Sequence, residues 1–244
     1  MGNQIKFGPA TASRNGDPKE LIKFLRESLE FSDEAVELSL TRIEKIGDSI
    51  TNEAISLLSR FKYKSIHLPV LNKNEFINYP DKSIEKQLKI IDGIIEKIPI
   101  DTVLIHPNQV EDFEWVVSRY GSLLAFENMD IQKNFRSVKE MTELFKKYPT
   151  AKWVFDVNHV YTIDQTMNLA NDFFNALNKK LTHYHLSGYG GFHDALSISQ
   201  EDIILKGIKT LNFPIIDEGN LLEKNILEKE YNYVLERLLN QFPA

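Results

Sequence analysis

The chain has 244 residues, of which 42% are hydrophobic and 26% are charged, with a formal net charge of −6 and six histidines. This composition is typical of a globular domain with a core of its own. The absence of cysteine excludes disulfides, cysteine-ligated zinc, iron–sulfur clusters and thiol nucleophiles, so any bound metal must have imidazole or oxygen ligands.

The sequence contains no segment typical of a membrane span or a secretory signal. No run approaches the roughly 18 consecutive apolar residues that a span needs, and Met1–Gly16 lacks the apolar stretch of a signal peptide. We therefore expect a cytoplasmic protein with no membrane contact and no obligate protein partner. The mild acidity argues against broad nonspecific binding of nucleic acid, while leaving room for a local basic rim.

Short β-rich apolar runs alternate with longer segments of helical spacing along the chain. This alternation predicts parallel strands joined by crossover helices. Ala35–Leu40 is ambiguous between strand and helix, and we assign a strand because the remaining pattern requires one there. The eight predicted strands are Ile5–Phe7, Ala35–Leu40, Ser65–Leu68, Thr102–His106, Leu123–Glu127, Trp153–Asp156, Thr182–Leu186 and Pro214–Glu218.

The predicted helices have recognisable start signals. Asp17, Pro18 and Glu20 together are typical of a helix N-terminus. The later helices are predicted after Ser83 over Ile84–Ile98, after Ser137 with Glu140 to about Tyr148, after Thr162 with Gln165 over Met167–Leu177, and from about Leu221 to Leu239.

Eight strands alternating with helices predict an α/β fold, a compact (β/α)8 TIM barrel that forms a single domain over residues 1–244. The alternative is a doubly wound open sheet. That fold usually has a glycine-rich phosphate loop after its first strand, and Gly8–Ala12 does not match one. The barrel is therefore the preferred prediction.

Potential metal ligands lie at or near the carboxyl ends of six predicted strands. They are His67, His106, Glu127, Asp156, His185 and Glu218. In a barrel these ends converge on one mouth, where active sites of this architecture lie. Three carboxylates gathered there repel one another unless cations neutralise them, so the sequence predicts a divalent metal site. Mixed carboxylate and imidazole ligands favour Zn²⁺, Mn²⁺ or Fe²⁺ over Ca²⁺.

Each of these residues also has a plainer structural interpretation. A histidine at a strand end is often hydrogen-bonded within the fold, and an acidic residue there often caps the next helix. Coincidence across six strands is harder to explain, because grouping acids and imidazoles adds no stability to a barrel. His159 and His193 lie near the same rim and are predicted to bind metal or substrate. His183 is expected to be packed and hydrogen-bonded deeper in the barrel.

At these residues the sequence resembles the superfamily of xylose isomerase-like TIM barrels of the AP endonuclease family 2 type. This superfamily contains endonuclease IV and the sugar isomerases and epimerases. The matching segments are Ile66–Pro69, Ile105–Pro107, Phe126–Met129, Phe155–His159, His185–Ser187 and Pro214–Glu218. Their order and spacing are more specific than any one segment.

The resemblance to endonuclease IV implies a multinuclear zinc site. One ion would be held by His67, His106 and Glu127. A bridging Glu127 would share a second ion with Asp156, His185 and Glu218. A third ion would use His159 and His193.

Two departures from the endonuclease IV pattern weaken this implication. The family has an aspartate two residues before the last histidine of the third site, and this chain has Gly191 there, with Asp194 as the adjacent substitute. Val70 stands where the DNA enzyme has a tyrosine that helps to open the duplex. These departures put the third ion and the DNA substrate in question.

The resemblance to the sugar isomerases implies a smaller ligand set around one Mn²⁺ or Mg²⁺. Its ligands would be Glu127, Asp156, His185 and Glu218. Glu127 and Glu218 would also act as the catalytic proton-transfer pair, and His159 would bind substrate oxygens. This interpretation assigns no role to His67 and His106.

The two extra imidazoles slightly favour the multinuclear site. The first prediction is therefore a zinc-dependent hydrolase of the endonuclease IV type, in which a metal-activated water attacks the substrate. The substrate would be either a phosphodiester, such as abasic-site DNA, or a related phosphorylated sugar. The first alternative is a metal-dependent isomerase or epimerase of a small sugar or sugar phosphate. The second alternative is a barrel that binds metal or ligand without catalysis.

Overall fold

The computed structural model describes residues 5–11, 17–42, 50–72, 75–189, 193–221 and 224–243. Eight parallel strands form one curved sheet. Among the described helices, none is both long enough and apolar enough to cross a lipid bilayer.

The barrel strands match the eight predicted ones, with ends shifted by no more than two residues. They are β1 (Phe7–Pro9), β2 (Ala35–Ser39), β3 (Tyr63–His67), β4 (Thr102–Ile105), β5 (Leu124–Glu127), β6 (Lys152–Asp156), β7 (Leu181–Leu186) and β8 (Ile215–Asp217). The ambiguous segment at Ala35 is a strand, as predicted.

The sheet closes on itself between its first two strands. Each of β2 to β7 pairs with the next strand in sequence, β8 pairs with β7, and β1 pairs with β8. A bridge between Ala10, which follows β1, and Glu37, in the middle of β2, joins the two strands, and Thr11 N donates to Glu37 O at 2.9 Å. The predicted TIM barrel is therefore confirmed, and the open-sheet alternative is wrong.

Helices follow the strands in the order that a (β/α)8 barrel requires. They are α1 (Pro18–Phe31), α2 (Asn52–Leu58), α3 (Glu85–Lys97), α4 (Phe113–Tyr120), α5 (Val138–Lys147), α6 (Val157–Ile163), α7 (Leu169–Leu177), α8 (Leu196–Ser199) and α9 (Lys224–Gln241). A small hairpin of Leu71–Asn72 and Glu75–Phe76 follows β3. The sequence analysis did not predict this hairpin, α2, α4, α6 or α8.

Two of the predicted helix starts are confirmed. The Asp17 carboxylate accepts a hydrogen bond from Lys19 N at 2.8 Å and caps α1. Ser137 and Glu140 form a complete capping box at α5, because each side chain accepts from the other residue's backbone N–H. These local hydrogen bonds satisfy donors that the first turn of a helix leaves unpaired.

Two predicted capping residues are wrong, although the helices that they precede begin within two residues of the predicted positions. Ser83 does not cap α3, since Asp81 accepts from Ser83 N and starts a short 3₁₀ turn that leads into that helix. Thr162 lies inside α6, and its hydroxyl donates to His159 O at 2.7 Å. In both cases a helical turn begins earlier than the serine or threonine, so the hydroxyl is not at the cap position.

On the side of the barrel formed by β4, β5 and β6, the interior changes from apolar to polar toward its carboxyl end. Leu104, Ala125 and Val154 form a separate buried apolar cluster from β4, β5 and β6. Side chains that are two residues apart in a strand point to the same face. Each of these apolar residues therefore lies one inward step below a predicted ligand, namely His106, Glu127 and Asp156 respectively.

Barrel closure should be sensitive to Gly8 on β1. A Cβ atom at Gly8 would lie 1.7 Å from Ala35 O on β2, so Gly8→Ala must push the two strands apart. We expect a loss of about 2–3 kcal/mol in the free energy of unfolding, as in overpacked cores.

The matched control is Gly93→Ala inside α3, where a Cβ would have no neighbour within 4 Å. This change should stabilise the protein by about 0.5–1 kcal/mol, because alanine favours helix. Urea denaturation of both variants measures the difference. Equal effects at the two positions would contradict the tight closure.

Candidate metal centre

The structure brings all six predicted strand-end ligands to one mouth of the barrel. Their ligand atoms form two groups, and within each group the atoms lie within 4.8 Å of one another. The first group is His67, His106 and Glu127. The second group is Glu127, Asp156, His185 and Glu218. Glu127 belongs to both groups, so the convergence expected from the barrel is present.

The Glu127 carboxylate lies between the two groups and is 1% exposed. Its Oε2 atom is 3.4 Å from His106 Nε2 and 3.8 Å from His67 Nε2. Its Oε1 atom is 3.2 Å from His159 Nδ1 and 3.6 Å from His185 Nδ1. One oxygen therefore faces each group, as a bridging ligand requires.

Asp156 combines the capping role with the geometry of a ligand. Its Oδ1 atom accepts from His159 N at 2.7 Å and caps α6. The Asn128 carboxamide fixes the end of β6, because it donates to Asp156 O and accepts from Asp156 N. This arrangement leaves Oδ2 for the metal centre.

His185 and Glu218 complete the second group from β7 and the end of β8. His185 Nδ1 lies 3.1 Å from Glu218 Oε2. The Glu218 side chain is 14% exposed, whereas that of His185 is fully buried. Glu218 is therefore the carboxylate of this pair that faces the open mouth.

In two histidines, one ring nitrogen is hydrogen-bonded to a backbone carbonyl. His67 Nδ1 is 2.8 Å from Leu68 O, and His159 Nδ1 is 2.8 Å from Asn128 O. Since a carbonyl oxygen only accepts, both Nδ1 atoms carry hydrogen. The Nε2 atom of each ring is then the one available to a metal or a substrate.

The buried atoms of the centre fit a divalent cation. Among the described residues, four of them have no hydrogen-bond partner, namely His106 Nδ1, Glu127 Oε2, Asp156 Oδ2 and His185 Nδ1. Burying an unsatisfied polar atom costs free energy. Asp156 Oδ2 and His185 Nδ1 belong to the second ligand group, and an ion bound there would satisfy them, whereas Glu127 Oε2 faces His67 and His106 of the first group.

Without a cation, protons compensate the buried carboxylates. Burial raises the pKa of Asp156 to about 8. Burial alone would lower the pKa of His159, but the negative charges of Asp156 and Glu127 outweigh it and raise that pKa to about 9. His106 behaves differently, because burial lowers its pKa to about 4. His106 is thus neutral at pH 7 and suited to bind a metal.

The proposed third ion site is not assembled among the described residues. The rings of His159 and His193 are 6.2 Å apart, and His193 Nδ1 lies 2.9 Å from Ser187 Oγ. Neither histidine belongs to a group of three ligands in the described ranges. Gly191 lies outside those ranges, so its effect on this site stays a prediction.

His183 occupies the interior position that we predicted for it. It is fully buried, and its Nδ1 atom is 2.7 Å from the Tyr63 hydroxyl. The sequence analysis missed Glu37, a fully buried carboxylate on β2 that lies 3.2 Å from His185 Nε2. Its signal was a single acidic residue in the middle of the apolar run Ala35–Leu40.

Neither a protein-family model nor a curated protein matches the chain. Solved structures do match its fold. The D-psicose 3-epimerase of Clostridium cellulolyticum H10 with D-tagatose has a TM-score of 0.61 at 12% identity, covering 95% of this chain and 97% of that one. A probable 3-DHS dehydratase of Bacillus anthracis has a TM-score of 0.63 at 13% identity, covering 95% and 99%.

The 3-keto-D-glucoside 4-epimerase of E. coli has a TM-score of 0.58 at 12% identity, covering 96% of this chain and 99% of that one. These matches extend over nearly the whole length of each barrel. They confirm the predicted barrel at the level of the fold. At such low identity, the chemistry has to be argued from the residues.

In the metal-free protein, we expect the free energy of unfolding to fall as the pH rises from about 7 to 9. The pKa of His159 rises from 6.5 to about 9 on folding, so its stabilising contribution is complete below pH 6.5 and is lost through pH 9. Asp156, with a pKa raised to about 8, changes stability in the same direction. In both cases the folded state holds a proton that the unfolded chain releases.

Thermal unfolding in chelator at several pH values measures this slope. His159→Gln should make it shallower, because one of the titrating groups is removed. Added Mn²⁺ should also reduce it, since the ion replaces the protons. A metal-free melting temperature that does not fall over this range would contradict the expectation.

Proposed function

We propose that the protein is a metal-dependent isomerase or epimerase of a small sugar. The sequence analysis placed this function second, after an endonuclease IV-like hydrolase. Structural neighbours that include two sugar epimerases, matched over nearly their whole length, favour reversing that order. None of these neighbours supports a DNA substrate.

One observation carries the proposal, namely two carboxylates that approach the same imidazole nitrogen. Glu127 Oε1 is 3.6 Å and Glu218 Oε2 is 3.1 Å from His185 Nδ1. They come from β5 and from the residue that follows β8, so they reach the centre from different parts of the barrel wall. Proton transfer beside a carbonyl group needs such a pair of acid–base groups around one substrate.

Both glutamates can begin the reaction as bases. Burial alone would raise their pKa values, but the charge of His185 and hydrogen bonds to histidines hold both below the usual range. One carboxylate would remove a proton from the carbon beside the substrate carbonyl. The other, after taking up a proton from solvent water, would return one to the opposite face or to the neighbouring carbon, and the first would then release its proton to solvent so that both carboxylates are restored.

His159 is suited to hold a substrate oxygen. With Nδ1 bound to Asn128 O and a pKa of about 9, its Nε2–H can donate a hydrogen bond toward the mouth at neutral pH. The metal ligands in this proposal are Glu127, Asp156, His185 and Glu218. A divalent ion in that group would polarise the oxygens beside the exchanging proton.

Exchange of solvent deuterium into ketoses tests the proposed proton transfer. Wild-type protein loaded with Mn²⁺ should incorporate deuterium into at least one member of a ketose panel, detected by proton NMR. Glu127→Gln and Glu218→Gln should each lower the exchange rate by at least about 100-fold, the usual contribution of one acid–base group. Unaltered exchange in either variant would count against the scheme.

His67→Gln is the matched control, because it replaces an imidazole of the same mouth that the one-ion scheme does not use and leaves the proposed proton pair intact. Its exchange rate should stay within a few-fold of the wild-type rate. A barrel that binds metal without catalysis would bind Mn²⁺ and show no exchange with any ketose.

The hydrolase remains the second candidate because of the first ligand group. The Nε2 atoms of His67 and His106 are 3.1 Å apart, and both face Glu127 Oε2. An isomerase with one ion gives these imidazoles no role. A second ion between them and Glu127 would favour activation of a water for phosphoester cleavage.

Elemental analysis of the purified protein separates the two candidates. We expect one divalent ion per chain, and the same count in the double variant His67→Ala/His106→Ala. Two zinc ions per chain, falling to one in the double variant together with cleavage of abasic-site DNA by the wild type, would establish the hydrolase instead.

A further inference from the structure

A second buried polar cluster lies one layer below the metal centre inside the barrel. It consists of Glu37 on β2, Ser65 on β3 and His183 on β7, and it contacts the ligand His185. Each of these four residues is at most 1% exposed. Polar groups at this depth need partners, because water does not reach them. The hydrogen-bond partners of these residues indicate the role of the cluster.

The Glu37 carboxylate is the common acceptor of the cluster. Its Oε2 atom accepts from Ser65 Oγ at 2.8 Å and lies 3.2 Å from His185 Nε2. His183 Nε2 is 3.6 Å from the same oxygen and 3.1 Å from His185 Nε2. One imidazole and one hydroxyl therefore lie within hydrogen-bond distance of this oxygen, and the second imidazole, His183, contacts His185 instead.

This geometry determines which nitrogen of His185 carries hydrogen. An unprotonated Nε2 would direct its lone pair at a buried carboxylate oxygen, which is repulsive. Nε2 must therefore carry hydrogen and donate toward Glu37. The opposite nitrogen, Nδ1, faces Glu127 and Glu218, and a metal bound in that group would take this nitrogen in place of any proton that it carries.

His183 supports the same assignment from the other side. Its Nε2 can accept a share of the His185 Nε2–H only when its own hydrogen is on Nδ1. That Nδ1 lies 2.7 Å from the Tyr63 hydroxyl, which can accept from it and donate onward to Thr102 Oγ1 at 2.8 Å. Hydrogens on His185 Nε2, His183 Nδ1 and the Tyr63 hydroxyl are consistent with all of these contacts, while Glu37 Oε1 has no hydrogen-bond partner among the described residues.

We infer that Glu37 is a positioning residue for the metal centre, which holds His185 in the Nε2–H form and turns Nδ1 toward the ion, with His183 and Tyr63 as its support. The inference rests on the metal-dependent function proposed above. A carboxylate that accepts from the far nitrogen of a ligand imidazole also makes that imidazole a stronger donor to the metal.

A competing interpretation treats Glu37, His183 and His185 as an ion site of their own, since their ligand atoms lie within 4.8 Å of one another. That site would require His185 to give up the Nε2 hydrogen while Nδ1 serves the centre above. It would also require an ion to reach a position that all three residues bury completely. Both requirements count against an ion site here and favour the positioning role.

Metal titration of stripped protein and NMR of the histidine rings test the inference together. Glu37→Ala should weaken Mn²⁺ and Zn²⁺ binding by roughly 10- to 100-fold, the usual effect of removing such a partner. Glu37→Gln keeps an acceptor oxygen and should weaken it less. In nitrogen-15 spectra of the metal-free protein, the His185 Nε2–H should be hydrogen-bonded and should exchange slowly with solvent in the wild type and in Glu37→Gln. In Glu37→Ala the same hydrogen should exchange fast.

The matched control is Glu230→Gln. Glu230 is also fully buried, but it caps α8 by accepting from Leu196 N and Ser197 N at 2.7 Å each. This variant should lower the melting temperature and leave the ion affinity and the His185 signal unchanged. A purely structural role for Glu37 would give that same pattern in the Glu37 variants, and would overturn the inference.

Two further outcomes are decisive. A second bound ion that Glu37→Gln and His183→Gln each remove would establish the competing ion site and overturn the positioning role. If wild-type protein binds neither Mn²⁺ nor Zn²⁺, the proposed function fails, whereas loss of the slow Nε2–H signal in Glu37→Ala would still support the positioning of His185. If Glu37→Ala does not fold, Glu37→Gln with its weakened affinity decides the question.

Discussion

The compensation of buried charge at the barrel mouth is the constraint on which the rest of the structure depends. Glu127 is almost fully buried and lies within 4 Å of four histidines. Such a carboxylate is tolerated only when protons or a cation balance it. In the metal-free protein, His159 and Asp156 hold those protons. A divalent ion at the same place would release them, so metal binding and proton uptake are linked at this centre.

Side chains alternate along each strand, so the same barrel strands supply both the metal ligands and the buried cluster of Glu37 and His183 below them. On β7, His185 faces the metal centre, and His183 lies two residues earlier in the layer below. On β2, the inward position at the depth of that lower layer is Glu37. The supporting network is therefore a consequence of strand periodicity and barrel closure, with no additional domain or loop required.

Sequence patterns recovered those elements whose signals are local and periodic. All eight barrel strands and the capping box at Ser137 are of this kind. Helices α2 and α4 were missed although Thr51 and Asp112 cap them, because both helices are short. Glu37 was missed for another reason, since an isolated acid in an apolar strand becomes informative only when its partner is known.

The sequence by itself determined the fold class and the strand ends at which the ligands stand, because both follow from short-range periodicity. Only the tertiary structure decided that Glu127 serves both ligand groups, that Asp156 caps a helix while presenting its other oxygen, and that Glu37 meets His185. The last contact joins residues 148 positions apart. Contacts of that kind depend on strand register and on closure of the sheet, and neither can be read from the neighbours of a residue in the chain.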